Sequence, residues 1–572
     1  MTAERASVAT LPLMPADPEG RTRESRRIAE RVLLAGAIAF QLILVTVLGY
    51  LNRYQINTDG ISFIRLAVYY AHGQWDLAVS GYWGPLLSWL MVPFVGLFET
   101  PLFAARVAMG ASAVVCLLGA MSVLRRIALP ASGVVLGSWI VALASAVWAT
   151  GHTSADVLFA GLVCFAVSRL LDPRWSADLR TQITTGLLFA AAYLAKAAAV
   201  PLALALTLVI PTLWVLTGSV DFKRATRGAA ITLIVFGLAA TPWVTVLSLK
   251  YGKVLLSTSG RINHSAYGPR TPERLRFAYE LESYHVPPPG RVTTWEEPSN
   301  TPVLEWSPFA SADNALHQLK LIYQNLFGIA AKLAQMDWLG VGLFAAVSGV
   351  LVHAPWLANM RAQRWRWAGI IVMCLSSAYL PISGHETRYH YPAYVFLVVA
   401  AVGSVYWLTR EGARGANVGR LIGLTIVVMS FAKPNVERIQ DEYSAAAIAQ
   451  GRGVLARAMA ARLAEHDVRG PIADGLAEQK KHPGLAVAFH MNQPWYGGDA
   501  RIDPAAAVAS GAEIFITQRS SAWARSVDRH PAFESLDPVL FGSTDEADRS
   551  PWKAYRISRA ASPAAHPSTA SP

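Results

Sequence analysis

The chain has 572 residues, of which 53% are hydrophobic and 15% charged, and its mean hydropathy is +0.33. These values exclude an ordinary soluble enzyme and indicate a protein that crosses the membrane several times. The formal net charge is +12, but Lys and Arg fall in short clusters between apolar runs. Such clusters are typical of cytoplasmic loops, so we interpret the basicity as topology and predict no nucleic-acid partner.

The first 30 residues are polar and contain Arg21, Arg23, Arg26 and Arg27. The apolar run that follows is too long and begins too late for a cleaved signal peptide. We therefore predict a cytoplasmic polar N-terminus over 1–30, followed by an uncleaved signal anchor.

Apolar runs of transmembrane length, about 20 residues with some shorter, indicate about eleven membrane-spanning helices. They are 31–51, 102–124, 131–149, 155–171, 181–199, 200–217, 227–249, 338–358, 366–382, 391–408 and 419–432. The basic clusters between these runs all fall on the N-terminal side of the membrane, which is cytoplasmic by the positive-inside rule. The fold class predicted is an α-helical polytopic membrane protein, with a transmembrane domain over 31–432.

Two shorter helices are predicted in the outer loop 52–101. The run 83–98 contains Pro85 and Pro93, and counting it as a span would invert every later basic cluster. We therefore predict that 83–98 and 60–74 lie in the outer interface.

Two larger segments are predicted outside the membrane on the same side. The loop 250–337 is rich in Pro, Trp and charge, and loops of this length are usually functional or disordered. The segment 433–559 is predicted to be a periplasmic α/β domain, with a helix near 440–466 and β-like runs at 484–490 and 512–518. The Ala, Ser and Pro tail 560–572 is predicted to be disordered. The three cysteines, Cys116, Cys164 and Cys374, lie in apolar runs and indicate neither disulfides nor a metal site.

Ionisable residues from distant parts of the chain are predicted to share one layer at the outer ends of the helices. They are Asp59, His152, Asp156, Lys196 and the members of the group GHETRYHYP, 384–392. A charge at the bilayer centre costs about 2.5–3.5 kcal/mol on insertion scales, so such residues tend to face water or one another. One polar cavity that opens outward accounts for all of them.

Each of these residues also has a simpler interpretation. Lys196 can reach the headgroups by snorkelling, and Asp156 can cap its helix. Arg388 fits an interfacial anchor, and Asp59 with Gly60 fits a turn. The prediction of a site depends on their coincidence.

The order of these features resembles a known family. An acid follows the first span, an aromatic-Gly-Pro-Leu sequence starts the second interfacial helix, and a second acid opens the fourth span. A lysine closes the fifth span, and an Arg-Tyr pair precedes a late helix that bears a proline. Over roughly 31–410 the chain resembles the C-type membrane glycosyltransferases (GT-C fold), nearest to the protein O-mannosyltransferase and lipid A aminoarabinose transferase group.

The resemblance implies a reaction and a set of site residues. Members of this family take a sugar from a polyprenyl phosphate and transfer it outside the cytoplasmic membrane. The implied catalytic residues are Asp59, as general base, and Asp156. The predicted donor phosphate site is Lys196, His385, Arg388 and Tyr389, and the predicted acceptor or sugar site is Tyr82, Trp83, His152 and Glu386.

Two departures from the family pattern lie where an acceptor would approach. Many of the mannosyltransferases have Asp-Glu where this chain has Asp59-Gly60, and the family's Pro-Pro-Leu reads Gly84-Pro85-Leu86 here. These departures leave the acceptor open, whether lipid, glycan or protein, together with the choice of hexose or pentose.

The residue chemistry agrees with that reaction. A polyprenyl phosphate is already a good leaving group, so its departure needs positive charge, which Lys196 and Arg388 supply. The attacking hydroxyl needs a base such as Asp59, and attack opposite the leaving phosphate inverts the anomeric centre. Trp295, Glu296, Glu297 and Trp306 in the outer loop are placed to cover the substrates. His152 or Asp156 could instead bind a divalent metal as a cofactor. One acid and one histidine do not make a metal site, so we predict no metal ligand.

Three other classes compete with this interpretation. A surface-glycan polymerase or ligase is also polytopic with a large outer loop, but relies on Arg and His in that loop. A secondary transporter places charged or broken helices near the midplane, and a non-enzymatic scaffold binds a partner through its outer domain. The predicted location is the bacterial inner membrane, among membrane lipids, with the C-terminal domain outside.

Overall fold

The computed structural model describes most of the chain. The described residues are 18–98, 100–271, 284–300, 303–336, 364–383, 386–409, 415–444, 453–475, 482–499, 501–541 and 550–558. The predicted span 338–358, the tail 560–572 and His385 lie outside these ranges.

The part of the chain before the C-terminal domain is helical. In chain order the helices are α1 (Pro18–Leu51), α2 (Thr58–Ala71), α3 (Trp75–Ala78), α4 (Leu86–Met91), α5 (Pro101–Arg126), α6 (Ala131–Gly151), α7 (Asp156–Leu170), α8 (Leu179–Ala195), α9 (Ala199–Leu216), α10 (Phe222–Tyr251), α11 (Ser259–Ala266), α12 (Ala312–Met336), α13 (Trp367–Ser377), α14 (Tyr391–Leu408) and α15 (Ala416–Glu442). We call the end of the bundle at which α1 ends the outer end.

Seven helices within the described ranges are long and apolar enough to cross a membrane. They are Arg27–Leu51, Pro101–Arg126, Ala131–Gly151, Ala199–Leu216, Phe222–Tyr251, Thr387–Leu408 and Ala416–Glu442. The predicted spans at 155–171 and 181–199 form the shorter helices α7 and α8, of 15 and 17 residues. The predicted span 366–382 contains α13, of 11 residues.

The helix ends follow local signals in the sequence. The Thr100 side chain accepts a hydrogen bond from the backbone N–H of Leu102, and Pro101 takes the first position of α5. Asp178 caps α8 and Asp221 caps α10 in the same way, each with its carboxylate accepting from backbone N–H groups. These caps satisfy donors that a helix start leaves free, so they fix where each helix begins.

The centre of the bundle depends on a close contact between α5 and α7. A β-carbon at Gly119 would lie 2.4 Å from the carbonyl oxygen of Gly161, and one at Gly161 would lie 2.6 Å from the backbone nitrogen of Cys116. Small residues that let helix backbones approach are a common means of packing helices in membranes. The contact holds the outer start of α7, which carries Asp156, against the bundle.

Short helices cover the outer end. The run 83–98 forms the six-residue α4 and a 3₁₀ turn, Val92–Phe94, so it is too short to cross a bilayer. The predicted interfacial helix 60–74 appears as α2. The predicted loop 250–337 contains the 25-residue α12, which the loop prediction missed. An amide side chain of α12 binds the segment that follows α13 at the outer end of the bundle. Gln318 donates to the carbonyl of Pro381 at 3.0 Å.

The C-terminal domain is a five-stranded sheet with helices. The elements are α16 (Val454–Glu465), β1 (Ile472–Gly475), α17 (Pro483–Met491), β2 (Trp495–Asp499), α18 (Pro504–Ala509), β3 (Ile514–Gln518), α19 (Ala522–Val527), β4 (Phe533–Ser535), α20 (Asp537–Leu540) and β5 (Trp552–Ile557). The strand order is β2-β1-β3-β5-β4. β1 pairs parallel with β2 and β3, whereas β5 pairs antiparallel with β3 and β4. β2 is therefore an edge strand.

One expectation for this region was wrong. The run 484–490 is helical and forms most of α17, because Pro483 occupies the first helical position and Asn492 ends the helix at a φ of 52°. The predicted domain boundary at 433 lies within α15, which continues to Glu442. The predicted strand within 512–518 is confirmed as β3.

Candidate active site

A cavity of about 470 Å³ lies at the outer end of the bundle. Asp59 lies in the first turn of α2, Asp156 is the first residue of α7, and Lys196 directly follows α8. Arg388 lies in a 3₁₀ turn, Thr387–His390, that leads into α14. The predicted site residues that line the cavity are Asp59, Tyr82, Trp83, Asp156, Lys196, Glu386, Arg388 and Tyr389.

The four central charges form a row of alternating sign. Lys196 Nζ lies 2.5 Å from Asp156 Oδ1, and the other oxygen of Asp156 lies 3.8 Å from Arg388 Nε. Arg388 Nη1 in turn forms an ion pair with Asp59 Oδ2. The predicted convergence of two acids and two bases in one chamber is therefore present, and each acid faces at least one base.

The simpler interpretations of Lys196, Arg388 and Asp59 do not fit their contacts. Lys196 is turned toward the interior, where its ammonium lies 3.8 Å from the ring centre of Tyr389 as well as against Asp156. Arg388 lies between carboxylates and is only 19% exposed. Asp59 belongs to a helix, and its carboxylate is engaged by Arg388. Lys196 therefore does not snorkel to the headgroups, and Arg388 is more than an interfacial anchor.

Asp59 is held as a carboxylate. Trp295 Nε1 donates a hydrogen bond to its Oδ1 at 3.0 Å, while Arg388 engages Oδ2. Burial alone would raise the pKa of Asp59, but the positive charge of Arg388 and these hydrogen bonds outweigh it and lower the pKa. The acid is thus charged and ready to accept a proton.

His152 contacts Arg388 and is not among the residues that line the cavity, so its role in binding acceptor or sugar stays a prediction. Its Nε2 lies 3.0 Å from Arg388 Nη1 and 3.0 Å from Asn57 Nδ2, and both neighbours are donors. Burial and the charge of Arg388 lower the pKa of His152 to about 4. The ring is therefore neutral at neutral pH and accepts at Nε2. Asn57 is fixed by bonds with the backbone of Thr153.

An aromatic wall borders the acid side of the cavity. The ring centres of Tyr82 and Trp83 lie 5.4 and 5.7 Å from that of Trp295. Trp83 Nε1 also donates to the carbonyl oxygen of Trp295 at 2.9 Å. Sequence reasoning placed Trp295 in a covering loop but not in the site. The run Thr293–Glu296 carries a local capping box, but this pattern gives no signal for the contact with Asp59.

Gly84 explains one departure from the family pattern. A β-carbon here would lie 2.5 Å from the carbonyl oxygen of Leu194 and 2.6 Å from that of Ala195. Gly84 therefore lets the start of α4 touch the end of α8, one residue before Lys196. A larger residue needs the two segments to move apart.

The Gly84→Ala variant is expected to fold less stably and to lose activity, because backbone oxygens cannot yield as a flexible side chain does. Overpacking of this kind costs about 1–3 kcal/mol. Thermal unfolding in detergent and transfer activity measure the two effects. Gly96→Ala, at a position with open space around the added carbon, is the control. Unchanged stability of Gly84→Ala would contradict the close approach.

The described residues of the site do not fit a divalent cation. Both carboxylates are already paired with cationic side chains, and no group of three His, Cys, Asp or Glu side chains suited to a metal occurs among the described residues. No step of the reaction below involves a metal.

The fold and this outer cavity define the class of membrane protein known as the GT-C fold. No family model and no curated protein matches the chain. Among solved structures it is similar to ArnT from Cupriavidus metallidurans bound to undecaprenyl phosphate, with 13% identity, a TM-score of 0.52, and coverage of 93% of this chain and 98% of ArnT. The apo state of the same ArnT gives 13% identity and a TM-score of 0.50, covering 92% and 99%. At this identity the likeness establishes the fold.

Proposed function

We propose that the protein is an inverting glycosyltransferase that moves a sugar from a polyprenyl phosphate to an acceptor hydroxyl. The observation that carries the proposal is the single cavity in which Asp59 lies beside Arg388, with Lys196 and Asp156 next to them. The structure of ArnT with undecaprenyl phosphate supports the choice of donor.

The donor phosphate binds between Lys196 and Arg388. Arg388 carries five N–H donors in a planar fork, so it can face a carboxylate on one edge and a phosphate on the other. The cavity continues over apolar residues at the start of α9, among them Ala198, Val200 and Pro201. That surface suits the first isoprene units of the donor, because they carry no polar group to satisfy.

Asp59 takes the proton from the acceptor hydroxyl. In the free protein the charge of Arg388 weakens Asp59 as a base. A bound phosphate draws the guanidinium toward itself, so the base strengthens when the donor arrives. The hydroxyl then attacks the anomeric carbon on the face opposite the phosphate, which leaves as a dianion between the two cations. No general acid is needed.

Asp156 acts through Lys196. Its carboxylate fixes the lysine ammonium at 2.5 Å and stands at the start of α7, where a helix dipole favours negative charge. We propose that it sets the position of the phosphate-binding ammonium. The Tyr389 ring, 3.8 Å from Lys196 Nζ, limits the ammonium from the other side.

The reaction is proposed to occur at the outer face of the cytoplasmic membrane. The arginine clusters 125–126 and 169–180 lie at helix ends opposite to Asp59, and Arg364 lines a pocket with Arg126 at the same end, as the positive-inside rule requires. The C-terminal domain, reached after the outer end of α15, is then periplasmic.

Cells that lack this protein are expected to accumulate a polyprenyl phosphate-linked sugar and to lose one envelope decoration. Mass spectrometry of envelope lipids and glycoconjugates identifies the accumulated lipid-linked sugar and the missing decoration. As a control, a plasmid copy of the gene must restore the normal pattern. The purified full-length protein should then release polyprenyl phosphate from that donor. An unchanged lipid profile, with no release from any pentose or hexose donor, would overturn the proposal.

A further inference from the structure

The segment 284–292 pairs with the edge of the C-terminal sheet. Tyr284 forms an antiparallel bridge with Gly497, and the backbone N–H of His285 donates to the carbonyl of Tyr496 at 2.6 Å. Farther along, Trp495 N–H donates to the carbonyl of Val292 at 2.7 Å. Because β2 is an edge strand, its free side is available for pairing, and the two ends of the segment, at 284–285 and at Val292, are held to it by main-chain bonds.

The next residues carry the segment into the cavity wall. The Glu296 carboxylate is fully buried and accepts from the backbone N–H of Val292 and from the Tyr69 hydroxyl of α2, at 2.8 and 2.7 Å. Arg291 Nη1 and Arg65 Nε lie 3.6 and 4.0 Å from it. These bonds fix the turn Thr293–Glu296, which follows the segment 284–292, against α2.

Trp295 stands at the end of this connection. Its carbonyl oxygen accepts from Ser62 Oγ, on the same helix as Asp59, and from Trp83 Nε1, both at 2.9 Å. Its indole N–H reaches Asp59 Oδ1 at 3.0 Å. Trp295 is thus fixed at its backbone carbonyl and at its indole N–H, and the indole donor is aimed at the oxygen of Asp59 that Arg388 leaves free.

We propose that Trp295 is a positioning residue for Asp59, and that the C-terminal domain holds Trp295 in place through the segment 284–292. This inference rests on the proposed function, since it assigns the indole N–H a part in the reaction of Asp59. The domain is then part of the catalytic assembly, although it supplies no group to the reacting atoms.

The Trp295→Phe variant keeps an aromatic ring and removes the donor. Its kcat is expected to fall about 10- to 100-fold, as for the loss of a hydrogen bond to a charged group, with little change in KM for the donor. Because that bond stabilises the carboxylate, its loss raises the pKa of Asp59, and the acid limb of the pH profile moves to higher pH. A structural defect alone would not move this limb.

The matched control is Trp139→Phe, which removes an indole bond to the carbonyl of Leu33 at 3.2 Å, away from the cavity. It should retain the activity and pH profile of the natural protein. Trp295→Phe with an unchanged profile would overturn the inference, while an inactive Asp59→Asn would leave the proposed function intact. An active Asp59→Asn would instead overturn the proposed function itself.

The role of the domain is tested in the full-length protein with His285→Pro, which removes the 2.6 Å main-chain bond. We expect a lower kcat, and no further loss when His285→Pro is combined with Trp295→Phe, because both act through one contact. Tyr284→Phe removes only a hydroxyl bond to the carbonyl of Asp474 and tests the same route if His285→Pro fails to fold. If the two substitutions lower kcat independently, so that their effects multiply in the double variant, the role of the domain is overturned. It is also overturned if His285→Pro does not fold and Tyr284→Phe has the kcat of the natural protein.

Discussion

The Asp59→Asn variant is expected to transfer sugar about 10²- to 10⁴-fold more slowly than the natural protein, the usual effect of losing a general base. The amide has the size of the carboxylate but cannot take up the proton of the acceptor. Turnover of the donor by the purified protein, followed by release of polyprenyl phosphate, measures the loss.

The same substitution should strengthen binding of the leaving lipid. Arg388 loses its tightest partner in Asp59→Asn but keeps Asp156 at 3.8 Å and Glu386 at 3.7 Å, so the fold should survive. The freed guanidinium edge is then available to a phosphate. Titration with undecaprenyl phosphate, followed by intrinsic fluorescence, is expected to give a lower Kd than for the natural protein.

Asp76→Asn is the matched control for this pair of measurements. Asp76 lies in α3 of the same outer loop and does not line the cavity. Natural activity in Asp59→Asn would contradict the assignment of the base. It would favour a polymerase or ligase that depends on residues of the outer loop.

The Arg388→Lys variant is expected to lower kcat by about 10²- to 10³-fold, the range found when one stabilising donor is removed from a developing negative charge. Lysine retains the charge but has no planar fork. It cannot engage Asp59, donate to His152 and face a phosphate at once. Because the lost interaction also binds the ground-state phosphate, KM for the donor should rise.

Arg261→Lys provides the control for Arg388→Lys. Arg261 forms an ion pair of 2.6 Å with Glu305 at the outer end but does not line the cavity. Its variant should keep the kcat and KM of the natural protein. Natural kinetics in Arg388→Lys would show that a point charge is sufficient, and the fork arrangement would then be wrong.

The position of the site could be predicted from the sequence because alternating spans determine which helix ends share a face. Asp59, Asp156, Lys196 and Arg388 each lie at such an end, so counting spans and basic loops placed them together. The pairing of Asp156 with Lys196, and of Asp59 with Arg388, could not be predicted, since it depends on how the helices rotate and pack.

Sequence reasoning missed one contact of the site and two helices, for different reasons. Trp295 and Asp59 are separated by 236 positions, and no local pattern relates an indole to an acid at that distance. The helices α12 and α17 were missed for a different reason. Short apolar runs such as 484–490 fit a strand or a helix equally well, and the prolines and tryptophans of 250–337 obscured the helical spacing of Leu316, Leu319 and Tyr323.

The row of alternating charges has a consequence for selectivity in a crowded bilayer. The chamber is lined by two cations, Lys196 and Arg388, and by three acids, Asp59, Asp156 and Glu386, so it has no excess positive charge to attract the abundant phosphates of ordinary phospholipids. An anion gains most when its headgroup is narrow enough to reach the guanidinium of Arg388 beside Asp59 and its tail follows the apolar wall of α9. We therefore expect the chamber to discriminate against ordinary phospholipids.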